Sequence, residues 1–335
     1  MRRRAVVLVA LAAVAAAGAG RAGAPAAGGL LLVANKGDQT LGIIDPVAGK
    51  MVPTVKQSGV TGHEVAASPD GKTAYVPIYG DSGVGRPGSD GRTIDVIDLA
   101  SRRRTATIDL GRPQRPHEAL FGPDGRLYVT TELTSSVTVI DPGTNAVVAT
   151  LPTDQKESHM LALSPDGRTA YTSNVSAGTV SVIDVATRKV AAVVTVARRA
   201  QRISVSTDGR FVFTADQDAP RLAVIDTKTN RLVRGVALPA VAYGTAPTPD
   251  GSWLLVAMPG AGQVAVLDLS SMEVARTLDV PRAPQEVLVR PDGRVAYVSC
   301  DAAGQVAEID LAGWKVARII PAGPMADGLA WAKQP

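Results

Sequence analysis

A closed ring of seven four-stranded antiparallel β-sheets, a β-propeller, is the all-β fold that this sequence predicts, and three observations predict it. A turn of the type Pro-Asp-Gly recurs with its aspartate at positions 70, 124, 166, 208, 250 and 292, spaced by 54 and then four times by 42 residues. An apolar run ending in aspartate recurs seven times, at Asp45, Asp98, Asp141, Asp184, Asp226, Asp268 and Asp310. Glycine (33) and proline (23) are abundant while aromatics make up 4%, which suits many short strands joined by tight turns better than packed helices. A four-strand unit repeated every 40 to 45 residues or so is the mark of propeller blades.

The chain opens with the layout of a secretory signal over residues 1–19. Arg2-Arg3-Arg4 precede an apolar stretch from Ala5 to Ala17, and Ala17-Gly18-Ala19 forms a small-residue cleavage site. Ala22-Gly23-Ala24 would also serve, but Pro25 directly after it hinders the peptidase. The apolar run is shorter than the roughly 20 residues of a spanning helix, so cleavage is expected in preference to a membrane anchor. A periplasmic or secreted mature protein follows, with residues 20–29 as a flexible N-terminus and residues 30–335 as one propeller domain, expected to be monomeric. Without its three signal arginines the chain carries 32 basic and 31 acidic residues, a near-neutral balance that disfavours nucleic-acid binding. Arg102-Arg103-Arg104 and Arg198-Arg199 read as solvated turns. Cys300 is the single cysteine, so no intrachain disulfide forms, packing must supply stability, and the thiol itself reads as a packing residue.

Each unit reads as four strands, A to D. Strands A and B form a hairpin around the Asp-Gly turn, where glycine accepts the positive φ that such turns need. Strand C is the Val-x-Val-Ile-Asp segment, and strand D is the outer one. The first unit, Leu30 to about Val55, holds only strands B, C and D, and Asp327 to Trp331 supply its missing strand A at the other end of the chain. Pairing the two termini in one blade closes the ring and removes the free edges that invite aggregation.

Three of the B strands, Ala74-Tyr75-Val76-Pro77, Leu127-Tyr128-Val129-Thr130 and Ala296-Tyr297-Val298-Ser299, resemble the YVTN motif of the YncE-like β-propeller family. Phe211-Val212-Phe213-Thr214 and Leu254-Leu255-Val256-Ala257 depart from it without disturbing the blade count. The resemblance covers nearly the whole mature chain and implies the propeller fold. Because that family is related in fold to lactonase and to quinoprotein and cytochrome d1-type propellers, it leaves binding, hydrolytic and redox roles open.

All three histidines, His63, His117 and His159, stand seven residues before a turn aspartate. The same repeat position is Gln201, Tyr243, Gln285 and Asp327 in the other units, polar in every one. Strand A is innermost in a propeller, so this position forms a polar ring near one channel opening. Three neighbouring imidazoles there suit one transition metal, zinc, copper or iron, because neutral imidazole is a common ligand and three of them leave an open position. Glu64 and Glu118 each follow a histidine and, by strand alternation, are expected to point away from the channel. The loops between strands B and C open on the same face and bring Tyr79, Glu132, Asn174, Asp216 and Asp301. The long 54-residue interval adds a Gly-rich insertion, Tyr79 to Arg92, expected to lie over the mouth.

Two classes of function fit. In the first, the chain is a binding protein whose mouth holds a small ligand or a partner protein, with Gln201, Tyr243, Gln285, Tyr79 and Asn174 as contacts. In the second, the histidines hold a metal for a lactonase-like hydrolase, with Glu132, Asp216, Asp301 or Asp327 as base, or for a metal or haem redox protein. The bland alternative is a solvated channel lined by histidines bonded to water. The nucleophile elbow, the phosphate loop and the zinc-protease helix motif are absent, and one cysteine cannot supply the Cys-x-x-Cys-His of covalent haem attachment.

Overall fold

The computed structural model describes residues 28–334 apart from residue 82; the expected signal and nearly all of the expected flexible N-terminus lie outside the described residues. Seven four-stranded antiparallel sheets form the ring. Blade 1 is built from both ends of the chain: Ala326–Lys333 is its strand A, followed by Gly29–Asn35, Thr40–Asp45 and Lys50–Lys56. Leu32 pairs with Ala330 and Leu30 with Ala332, so the predicted closure between termini is present. Blades 2 to 7 follow in chain order, with their A strands at Ala66–Ala67, Pro116–Phe121, Ser158–Leu163, Ala200–Val205, Thr245–Pro247 and Pro284–Val289.

The A–B turns form where the sequence places them. Gly71, Gly125, Gly167, Gly209, Gly251 and Gly293 hold φ between 68° and 75°, a region that a side chain disfavours. Gly71 also packs against the backbone of Lys333, where an added Cβ would lie 1.5 Å from the carbonyl oxygen, so this turn clamps the closing strand.

The core lies between blades. Strand alternation sends Tyr171 and Val182 of blade 4 against Ile203, Val212 and Ile225 of blade 5, and comparable apolar layers fill the other interfaces. The D strands are mostly exposed, as an outer rim must be. Blade 2 departs from the sequence reading at its insertion: strands B and C continue as a ladder, Thr73–Gly80 against Asp90–Asp98, because Ile78 and Tyr79 suit a buried strand. Among the described residues, 81 and 83–89 remain as loop. Among the described residues no helix is long and apolar enough to cross a membrane.

Candidate functional site

The ring position is a β-bulge. In blade 3, Pro116 pairs with Thr131 and Ala119 with Val129, so His117 and Glu118 together oppose Thr130. Gln201 and Arg202 oppose Ala215 in the same way, Gln285 and Glu286 oppose Ser299, and Asp327 and Gly328 oppose Ala34. In blade 4, His159 is the unpaired residue between Ser158 and Met160. A bulge breaks strand alternation, so two consecutive side chains can face the axis. The expectation that Glu64 and Glu118 point away from the channel is thereby overturned. Glu64 meets Arg202 from across the ring, and burial, with Glu64 close by, raises the Glu118 pKa well above the usual carboxylate range.

The three histidines do come together. The ring centroids of His63 and His117 are 5.0 Å apart, and those of His117 and His159 are 3.6 Å apart. Tyr79, the last buried side chain before the insertion loop, packs on all three at 5.0, 5.1 and 5.7 Å. Burial pushes the His63 pKa down to about 3 and that of His117 well below its ordinary value, so both imidazoles are neutral near pH 7. His117 is 3% exposed, and neither of its ring nitrogens has a hydrogen-bond partner.

His159 is held from behind. Its Nδ1 lies 3.1 Å from Glu132 Oε2, the Tyr79 hydroxyl donates to that same oxygen at 2.6 Å, and Arg115 lies 3.1 Å from Oε1. Burial opposes the Glu132 charge, yet the bonds from His159, Tyr79 and Arg115 keep its pKa below the usual range. With Nδ1 donating to Glu132, the free lone pair of His159 is on Nε2. Arg115 extends this support to the insertion, donating to Asp90 at 2.6 Å and to the Arg86 carbonyl at 2.6 Å.

Below the histidines the axis is closed by charge. Arg202 lies 2.8 Å from Glu64, 3.0 Å from Asp327 and 3.6 Å from Glu286, carboxylates of three other blades. Lys36 joins Asp327 to Asp301 with 3.0 Å contacts to each, and Asp327 stands 3.9 Å from His63. Burial works against the Asp327 charge, but Lys36 and Arg202 hold its pKa low. Glu286 is pushed up to about 7, first by burial.

The other residues singled out from the sequence divide. Gln201 donates to the Tyr243 hydroxyl at 2.8 Å, Arg202 stacks over the Tyr243 ring, and half-buried Gln285 stands at the same bulge position in blade 7. Asn174 is a structural residue: its amide donates to Thr179 and Ser181 and its oxygen accepts from Ser158 and Thr172. Asp216 accepts from the Asp218 backbone and pairs with Arg221. Cys300 is fully buried, with its thiol pushed up to about 12 by desolvation. Arg115 and Arg202 were not singled out by the sequence reading. One signal could have found Arg202: the position after the ring residue carries a charge in four units, at Glu64, Glu118, Arg202 and Glu286.

Among the described residues no group of three or more His, Cys, Asp or Glu side chains is placed to hold a metal ion. The donor chemistry nevertheless suits a single ion, since neutral imidazoles are clustered and one has both nitrogens unsatisfied. A haem does not fit among these rings: they touch one another and Tyr79, and Arg202 fills the axis beneath them.

Comparison with known proteins supports a β-propeller family. Residues 121–250 match the model of the cytochrome D1 heme domain, a stretch from blade 3 to blade 6 that contains His159 but neither His63 nor His117. No curated protein matches. Among solved structures, hydrazine synthase of Kuenenia stuttgartiensis superposes with a TM-score of 0.72 at 20% identity, over 84% of this chain and 92% of that one. A functionally unknown protein from Desulfotomaculum acetoxidans superposes with a TM-score of 0.76 at 14% identity, over 91% of this chain and 99% of that one. At these identities the likeness is one of fold.

Proposed function

We propose that this chain is an exported, YncE-like binding propeller that acts in the periplasm or outside the cell and holds one transition-metal ion at the mouth bearing His63, His117 and His159. The observation that carries the reading is the His117 imidazole, buried with both nitrogens unpartnered. Burying such a group without a partner costs on the order of 1–3 kcal/mol, and a metal ion or a bound polar ligand recovers that cost. Neutral imidazoles at His63 and His117 and the oriented His159 supply nitrogen donors suited to zinc, copper or iron.

Binding is favoured over hydrolysis by the state of the carboxylates. Glu132 accepts from three donors, Asp301 and Asp327 share Lys36, and Asp216 pairs with Arg221, so each candidate base is already engaged. The test is elemental analysis of protein purified without a metal-binding tag, before and after incubation with zinc, copper and iron. About one metal per chain, lost in His117→Ala while the far-ultraviolet spectrum is unchanged, is the expected result. No metal after reconstitution overturns the reading.

A further inference from the structure

A groove of about 460 Å³ lies beside the insertion, between it and blades 3 and 4, and is separate from the histidine rings. Pro87 and Leu133 form an apolar wall, and Leu133 is left 47% exposed. Its lining includes the Arg115–Glu132 ion pair, whose guanidinium is also held by Asp90. Arg86 and Lys156 reach the groove from opposite sides and pair with no carboxylate among the described residues. The remaining acid, Glu157, accepts a hydrogen bond from the Ser176 backbone N–H, and the lining as a whole carries three cations against two acids. Two uncommitted cations beside an apolar wall, in a cleft of small-molecule size, select an anion with an apolar body.

The lining also includes a residue in a left-handed backbone conformation. Blades 3, 6 and 7 share a short 3₁₀ turn after strand B that ends on a left-handed residue: Gly262 and Gly304 in two of them, but Ser135 at φ 49° in blade 3. Glycine is the unstrained choice there, although left-handed side-chain-bearing residues recur around the ring, Gln39 before strand C of blade 1 among them, and Ser135 lines the groove.

We propose that this groove binds a small organic carboxylate, its acid group on Arg86 and Lys156, its apolar body against Leu133 and Pro87, and Ser135 donating a hydrogen bond to it. The site goes beyond the metal reading and shares with it only the Arg115–Glu132 support.

Isothermal titration of the full mature chain with hexanoate and benzoate, against their neutral amides and phenyl phosphate, tests it. Saturable binding of the acids is expected, with the amides at least about tenfold weaker and the acid affinity falling at least about tenfold in the Arg86→Ala, Lys156→Ala double variant. Equal binding of acids and amides, no binding, or an unaffected double variant overturns the proposal. Preference for phenyl phosphate over both carboxylates overturns the carboxylate assignment and gives the groove to phosphate esters. Metal content measured on the same samples separates the two readings: acid binding absent with metal retained removes the groove alone, and acid binding retained with metal absent removes the metal site alone.

Discussion

Arg202, in blade 5, places a guanidinium nitrogen 2.8 Å from a carboxylate oxygen of Glu64, in blade 2, across the axis of the ring. Both side chains are almost fully buried, and the same guanidinium reaches Asp327 of blade 1. The axis is thus tied by a charge that spans non-neighbouring blades, in addition to the apolar layers between adjacent ones. Removing one partner of a buried ion pair leaves the other charge desolvated and unpaired, which costs about 3–5 kcal/mol. Arg202→Leu is therefore expected to destabilise the propeller by that amount in urea unfolding, and a loss under about 1 kcal/mol would place the cluster among weak surface pairs.

Glu132 is expected to couple the insertion to His159, since it accepts from Tyr79, Arg115 and His159 while Arg115 holds the Arg86 carbonyl. In Glu132→Gln the charge facing Arg115 is gone, and amide hydrogen exchange over residues 83–92 should accelerate. Tyr79→Phe, which removes one hydrogen bond, should cost about 0.5–1.5 kcal/mol and accelerate the same amides less. Unchanged exchange in both variants would show that the loop is held by something else.

Ser135→Gly relieves a left-handed side-chain-bearing residue and should raise global stability by up to about 1 kcal/mol. A rise in melting temperature together with weaker carboxylate binding is the pattern expected of a residue kept for its hydroxyl; a fall in melting temperature would remove the strain argument.

The turns set the acid limit. Hydroxyls of Ser68, Ser164, Thr229, Thr248 and Ser270, followed by turn amides, hold Asp70, Asp166, Asp226, Asp250 and Asp268 below the ordinary 3.8. A carboxylate whose pKa is depressed on folding adds stability that is present above its unfolded pKa and lost as the pH falls through the folded value. Thermal melting temperatures should therefore lose this contribution as the pH drops below about 3.8. Asp166→Asn with Asp250→Asn should flatten that slope, and an identical slope in wild type and variant would exclude the turns as its source.

What could be read from the residues alone was whatever repeats or acts locally. The Asp-Gly turns and the apolar runs ending in aspartate are short-range signals, and their period gave the number of blades; the unpaired strand at each end then implied closure. Counting along the same repeat also brought His63, His117 and His159 to one level of one channel, because equivalent positions in a ring are neighbours in space. The facing of Glu64 and Glu118 was different. A bulge that recurs at the same place in several blades leaves the repeat length unchanged, so spacing cannot reveal it, and strand alternation then assigns those side chains to the wrong side. Arg202 with Glu64 and Asp327, Arg115 with the insertion, and the complete use of the Asn174 amide inside blade 4 are contacts between residues distant in sequence or turned inward by packing. Closure of the ring decided the Arg202 cluster, because the convergence of the inner strands on one axis brings charges from opposite blades within hydrogen-bond distance, and side-chain packing within or between adjacent blades decided the other two.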